Sequence, residues 1–127
     1  MIVLDSSGWI EFFADGPHAA QFAERLRQPA NVITPTVAIY EVYKWIKRER
    51  SEDEALAAVA TMKKTTVADL TEEIALTAAD LSLAHGLAMA DAMMLACARE
   101  NRADLVTCDA GFDGLAGVTV FSKKTKS

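Results

Sequence analysis

Short apolar runs alternate along this chain with longer stretches in which apolar residues recur every three or four positions. Ile2-Val3-Leu4 predicts a first strand, followed by a short helix carrying Trp9, Ile10, Phe12 and Phe13, with Ser6 or Ser7 as its cap. Asp15-Gly16-Pro17 breaks that helix, and residues 18–27 form a second one that buries Phe22 and Leu26. Residues 31–34 read as a strand, held extended at Thr34 by the following Pro35, and residues 37–48 as a helix. Ser51-Glu52-Asp53-Glu54 has capping-box spacing and opens a helix to about Lys63. A third strand over 66–69 leads into a helix over 71–84, ended by His85-Gly86. A helix over 89–100, a strand over 105–107 and an edge strand over 118–121 complete the pattern.

This alternation predicts an α/β fold: a single domain whose mostly parallel central sheet of about five strands is flanked by helices. The domain is expected over residues 1–121, with 122–127 a polar, lysine-rich tail that frays. With 127 residues, 51% apolar and 24% charged, the chain can bury a core and has none of the composition of a disordered one. No apolar run approaches the roughly 18 residues of a membrane span. Met1 leads straight into a strand, so a cytoplasmic protein without a secretory leader is expected. Cys97 and Cys108 read as reduced, buried thiols, and His18 and His85 stand alone, which leaves no zinc-like grouping.

The chemistry concentrates in four carboxylates, each beside an apolar segment. Asp5 follows the first strand, Glu41 lies in the helix over 37–48, Asp91 sits in the first turn of the helix over 89–100, and Asp109 follows Leu105-Val106-Thr107-Cys108. Carboxylates placed against apolar segments need compensation. Four of them converging from separate elements would make a site for a hard divalent cation and for phosphodiester hydrolysis. In open α/β sheets, sites form at the carboxyl ends of the strands, where Asp5 and Asp109 lie. Each acid also has a plainer explanation. Asp5 could be a cap, Asp91 a charge favoured by the helix dipole, Glu41 a surface acid paired with Lys44 or Lys47, and Asp109 a turn residue. Their joint placement is what favours a site.

The net charge of −5 is unexpected for a nucleic-acid binder; taking away the four acids leaves −1 on the rest, so a phosphate substrate stays possible without a broad basic surface. Lys44, Lys47 and Arg48, with Arg50, form the best internal basic cluster for gripping a phosphate backbone, although Glu49 and Glu52 interleave them. Lys123, Lys124 and Lys126 in the tail could assist. The aromatic residues Trp9, Phe12, Phe13, Tyr40, Tyr43 and Trp45 are expected mostly in the core, some lining a groove.

Four stretches taken in order resemble the PIN domain, and within it the VapC-type toxin ribonucleases. They are Ile2-Val3-Leu4-Asp5-Ser6-Ser7, Thr36-Val37-Ala38-Ile39-Tyr40-Glu41-Val42, Gly86-Leu87-Ala88-Met89-Ala90-Asp91-Ala92, and Leu105-Val106-Thr107-Cys108-Asp109-Ala110-Gly111-Phe112. The last resembles the family's T-x-D-x-x-F pattern but carries Ala110-Gly111 where a further charged residue is common. Asp113 is therefore a rival fourth acid; Thr107 sets the register in favour of Asp109.

The resemblance implies a Mg²⁺- or Mn²⁺-dependent endoribonuclease. Asp5 and Asp91 would hold the principal metal, Glu41 and Asp109 would complete the cluster, and Ser7 and Thr107 would be supporting hydroxyls that orient carboxylates or water. It also implies an RNA substrate, a VapB-type antitoxin whose tail blocks the site, and a homodimer. The rivals are another Mg²⁺-dependent phosphohydrolase and a non-catalytic PIN-fold binding module. A haloacid-dehalogenase-like phosphatase would need an aspartate at position 7, which is Ser, and a phosphoreceiver domain would need an acidic pair beside Asp5.

Overall fold

A computed structural model describes residues 1–121, and the lysines of the tail lie outside the described residues. The strands are β1 (Ile2–Leu4), β2 (Val32–Pro35), β3 (Thr66–Ala68), β4 (Asp104–Thr107) and β5 (Val118–Val120). The helices are α1 (Ser6–Phe13), α2 (Ala19–Arg25), α3 (Thr36–Glu49), α4 (Glu52–Met62), α5 (Glu72–His85) and α6 (Met89–Glu100). Single 3₁₀ turns lie at Pro29–Asn31 and Ala110–Phe112.

All five strands run parallel, in the order β3-β2-β1-β4-β5. Val3 pairs with Ile33 on one side and Leu105 on the other, so β1 is the centre of the sheet. From β1 the chain steps outward to β2 and β3, then returns to lay β4 on the other side of β1. The order reverses there, and the crevice between the ends of β1 and β4 is where such sheets build sites.

Buried strands of parallel sheets are apolar on both faces. Val3, Leu4, Val32 and Leu105 are fully buried, whereas the edge strands β3 and β5 have no fully buried residue. Helix α6 buries six of its twelve residues, Ala92 and the run Met94–Ala98. Its alanines let it lie close against the sheet, and α5 packs over it. The boundaries follow local chemistry. Ser51 accepts a hydrogen bond from the Glu54 N–H and Thr71 from the Ile74 N–H, while Gly86 ends α5 at φ +69°, a conformation that favours glycine. Among the described residues no single helix is long and apolar enough to cross a membrane. Cys97 and Cys108 are both buried and form no disulfide.

Candidate functional site

The site grows from the last residue before α1. Asp5 has extended backbone (φ −82°, ψ 177°), and its Oδ1 accepts a hydrogen bond from the Gly8 N–H at 2.9 Å. Asp5 is therefore the cap of α1, a role the sequence pattern assigned to Ser6 or Ser7. Both serines lie inside the helix, and a carboxylate at a helix N-terminus gains both hydrogen bonds and dipole stabilisation. The two serine hydroxyls are left for other work.

Ser7 and Thr107 each turn a backbone N–H of the β4 end toward Asp5. The Cys108 N–H donates to Ser7 Oγ at 3.0 Å, and Ser7 Oγ lies 2.9 Å from Asp5 Oδ1. The Asp109 N–H donates to Thr107 Oγ1 at 2.9 Å, and Thr107 Oγ1 donates to Asp5 Oδ2 at 2.6 Å. The hydroxyls themselves are 3.0 Å apart. These relays lock the ends of the two central strands together, and chained hydrogen bonds of this kind reinforce one another. They stabilise an anion that is only 2% exposed.

Asp109 lies two residues past β4 and caps the 3₁₀ turn, its Oδ1 accepting the Gly111 N–H at 2.8 Å. Fully buried Phe112 anchors that turn. Asp113, at the turn's far end, is exposed. Asp91 reaches the crevice from the first turn of α6. Glu41 comes from α3, and its Oε1 accepts a hydrogen bond from Ser6 Oγ at 2.7 Å. None of the four ion pairs among the described residues includes Glu41, so it is not a surface acid paired with Lys44 or Lys47. Ser6 is the functional-looking residue that sequence reasoning missed: it links α1 to α3 across 35 positions, and no local pattern announces it.

The charges of these groups reach one another. Burial pushes the Asp5 carboxyl up to about 6, against the hydrogen bonds of Thr107, Gly8 and Ser7, and the Asp109 charge adds to the rise. Asp91 is pushed up to about 7, first by burial, then by the charges of Asp109 and Asp5, with Glu41 contributing. Crowded carboxylates are expected to behave this way, each disfavouring ionisation of the next. Asp113 has no part in either shift.

The basic residues divide. Lys47 pairs with Glu52 at 3.0 Å, Arg48 with Glu49 at 2.9 Å and Arg50 with Glu54 at 3.9 Å. These exposed pairs leave Lys47 and Arg48 solvated on the outer end of α3. Lys44 instead lies over the ring of Tyr40, 5.4 Å from its centroid.

The donor set is all oxygen, which fits a hard divalent ion and not a thiophilic one. Among the described residues no three His, Cys, Asp or Glu side chains are spaced to share an ion as they stand. Three donors, the Gly8 N–H and the Ser7 and Thr107 hydroxyls, already reach Asp5, so a coordinating ion would take the carboxylate's remaining lone-pair capacity.

No curated protein matches the sequence. Among solved structures, the chain is similar in fold to a chain of a toxin–antitoxin complex from Klebsiella pneumoniae, at 22% identity and a TM-score of 0.81, covering 96% of this chain and 99% of that one. It is likewise similar to a VapC toxin from Mycobacterium tuberculosis described as cleaving the sarcin–ricin loop, at 20% identity and TM-score 0.79, covering 93% and 97%. A chain of DNA-bound VapBC from Salmonella typhimurium follows the same fold at 14% identity and TM-score 0.74, covering 97% and 98%. At such identities the likeness is one of fold. The PIN-domain family model matches residues 2–118, from the first residue of β1 to the first of β5, and the chain therefore belongs to the PIN-domain family.

Proposed function

We propose that this protein is a metal-dependent endoribonuclease, the toxin of a toxin–antitoxin pair. The observation that carries the reading is the placement of the acids at the strand ends: Asp5 caps α1 just past β1, Asp109 caps the turn just past β4, Asp91 lies in the first turn of α6, and Glu41 is tied to α1 through Ser6. On this reading four acids from four elements would share one crevice at the point where strand order reverses, and the charges of Asp109, Asp5 and Glu41 all raise the Asp91 carboxyl. Such repulsion is costly to maintain without a use, and a bound cation relieves it.

Asp5 and Asp91 would hold Mg²⁺ or Mn²⁺, with Glu41 and Asp109 completing the set. When bound, such an ion supplies an activated water and neutralises charge at the phosphoryl oxygens. Ser7 and Thr107 keep Asp5 oriented through the β4 relays, and Ser6 keeps Glu41 turned inward. Lys44, Lys47 and Arg48 lie further along α3, where an RNA backbone leaving the crevice would pass.

The RNA reading draws support from the sarcin–ricin-loop-cleaving toxin of similar fold, and the partner from the VapBC complexes. Its motif resemblance to the VapC-type toxins further implies a protein that would act in the cytoplasm as a homodimer, and the VapBC complexes of similar fold support a VapB-type antitoxin as its partner. Size-exclusion chromatography with light scattering tests the dimer, and co-purification with a neighbouring small protein tests the antitoxin.

The deciding experiment is cleavage of a total RNA pool by purified protein with Mg²⁺, Mn²⁺ or EDTA, beside Asp5→Asn and Asp91→Asn. Discrete products that need the ion and vanish in both variants are expected. RNA left equally intact by all three proteins with either ion would overturn the reading and favour a phosphohydrolase or a binding module.

A further inference from the structure

One groove adjoins the Ser6–Glu41 hydrogen bond, and its aromatic lining has no role in the chemistry described so far. It runs between α1 and α3, has a volume of about 210 Å³, and is lined by Ser6 and Ile10 on one side and by Tyr40, Glu41, Lys44, Trp45 and Arg48 on the other. Its inner end is the hydrogen bond from Ser6 to Glu41, so whatever fills the groove adjoins the carboxylates.

Tyr40 is 61% exposed, off the buried α3 face of Ala38, Val42 and Ile46, whereas Tyr43 and Trp45 pack partly against the core. Lys44 lies one turn further along α3, its Nζ 5.4 Å from the Tyr40 ring centroid and 3.4 Å from the phenolic oxygen. The cations beyond it, Lys47, Arg48 and Arg50, all have carboxylate partners. Lys44 has none among the described residues. The groove therefore offers an exposed tyrosine with the Lys44 ammonium over its ring, a second cation in Arg48 that is paired with Glu49, and an acidic end. An aromatic platform beside a cation with no carboxylate partner suits one unit of a single-stranded nucleic acid, the base displacing the ammonium from the ring to stack and the phosphate meeting the charge.

We propose that the α1–α3 groove is a nucleotide subsite: the base next to the scissile phosphodiester stacks on Tyr40, and the phosphate joining it to the chain meets Lys44. The subsite rests on the nuclease reading. Tyr40 presents a ring face and one hydroxyl to the base, so the subsite accepts any base that can leave a stack; it selects for unpaired RNA over duplex and discriminates little among sequences. A protein partner laid along the same groove is the competing occupant, and the acidic inner end disfavours an acidic peptide there.

The test compares cleavage of single-stranded RNA by the wild-type chain, Tyr40→Ala, Tyr40→Phe and Lys44→Ala. It adds photocrosslinking of a short RNA bearing 5-iodouridine to Asp91→Asn, which would hold the strand uncut. Tyr40→Ala is expected to raise KM about tenfold with kcat within about twofold, and Tyr40→Phe to keep the wild-type KM, since stacking and not the hydroxyl carries the contact. Lys44→Ala should lower the salt dependence of binding by nearly one phosphate. The crosslink should fall on Tyr40 or Trp45. An unchanged KM in Tyr40→Ala, or adducts confined to other elements, would overturn the subsite while leaving the nuclease intact. Normal RNA cleavage by Tyr40→Ala combined with loss of a bound protein partner would reassign the groove to that partner. Absence of cleavage by the wild type with any divalent ion would remove the nuclease and the subsite together. Because Tyr40 is exposed, its replacement leaves the core untouched, and unchanged thermal melting checks this.

Discussion

Asp5 does two jobs that conflict. It caps α1 and closes the relays to β4, which hold it in place, yet it is 2% exposed and ionised only against the cost of burial. Its carboxyl is raised from 3.8 to about 6, and that of Asp91 to about 7. Groups that bind protons more tightly when folded destabilise the fold as they ionise. In chelator, stability should therefore fall as pH rises from about 4 to above 7, rather than fall toward acid as for salt-bridged carboxylates. Asp5→Asn keeps a good cap and removes the buried charge. It should flatten this profile and raise the melting temperature at pH 8 by several degrees, a net gain of about 1 kcal/mol. The same variant should lose metal-dependent cleavage. Scanning calorimetry with EDTA from pH 4.5 to 8.5 decides the matter; an Asn variant that melts lower than wild type at pH 8 would mean that its hydrogen bonds outweigh the charge. Ser6 offers a second residue-scale test. Removing its hydroxyl frees Glu41, so Ser6→Ala should weaken Mn²⁺ binding by about three- to tenfold in calorimetry, with melting in chelator nearly unchanged.

At the scale of elements, caps and close approaches set the boundaries. Thr71 caps α5 well away from the acids, so Thr71→Ala should cost about 1 kcal/mol in urea denaturation and leave cleavage untouched. Gly8 is different. A Cβ there would stand 2.8 Å from both Leu4 Cδ1 and Phe22 Cε1, so Gly8→Ala should destabilise by about 1–3 kcal/mol despite the better helix propensity of alanine. Such features mark the limit of what the amino-acid pattern discloses. The runs Ile2-Val3-Leu4 and Leu105-Val106-Thr107 disclosed the central strands because a buried parallel strand has to be apolar along its length. The Met89–Glu100 helix was legible to the residue, since its periodicity is long and Gly86 punctuates it. The cap of α1 was not, because Asp, Ser and Ser are equally good caps and only the backbone angle of Asp5 separates them. The Ser6–Glu41 link was illegible for another reason: it joins two helices, and pairing between elements leaves no periodicity in either. Of the four acids, the plainer explanations of Asp5 and Asp109 hold as well, for both are caps besides facing the crevice.

Across the whole molecule the net charge is −5, and among the described basic residues of α3 only Lys44 lacks a carboxylate partner. A protein built this way cannot draw RNA in through a broad positive field. If the nuclease reading holds, its affinity would come from a few phosphate contacts, from base stacking and from the charge of a divalent ion held by the acids. Single-strand binding loses about 0.7 in the logarithmic salt slope per phosphate neutralised, so contacts by Lys44, Lys47 and Arg48 predict a slope near −2. Lys47 and Arg48 must first leave Glu52 and Glu49, but such exposed pairs are worth little and yield readily to a phosphate. Binding of labelled RNA by Asp91→Asn between 50 and 300 mM KCl measures this slope directly. A value near −2 supports an α3 track of about three phosphates. A slope of about −4 or steeper would require basic contacts beyond α3. On the nuclease reading, a surface this lightly charged would leave much of the discrimination to the acid crevice, which would take a strand only where it is unpaired and bent enough to bring one phosphate to the ion held there.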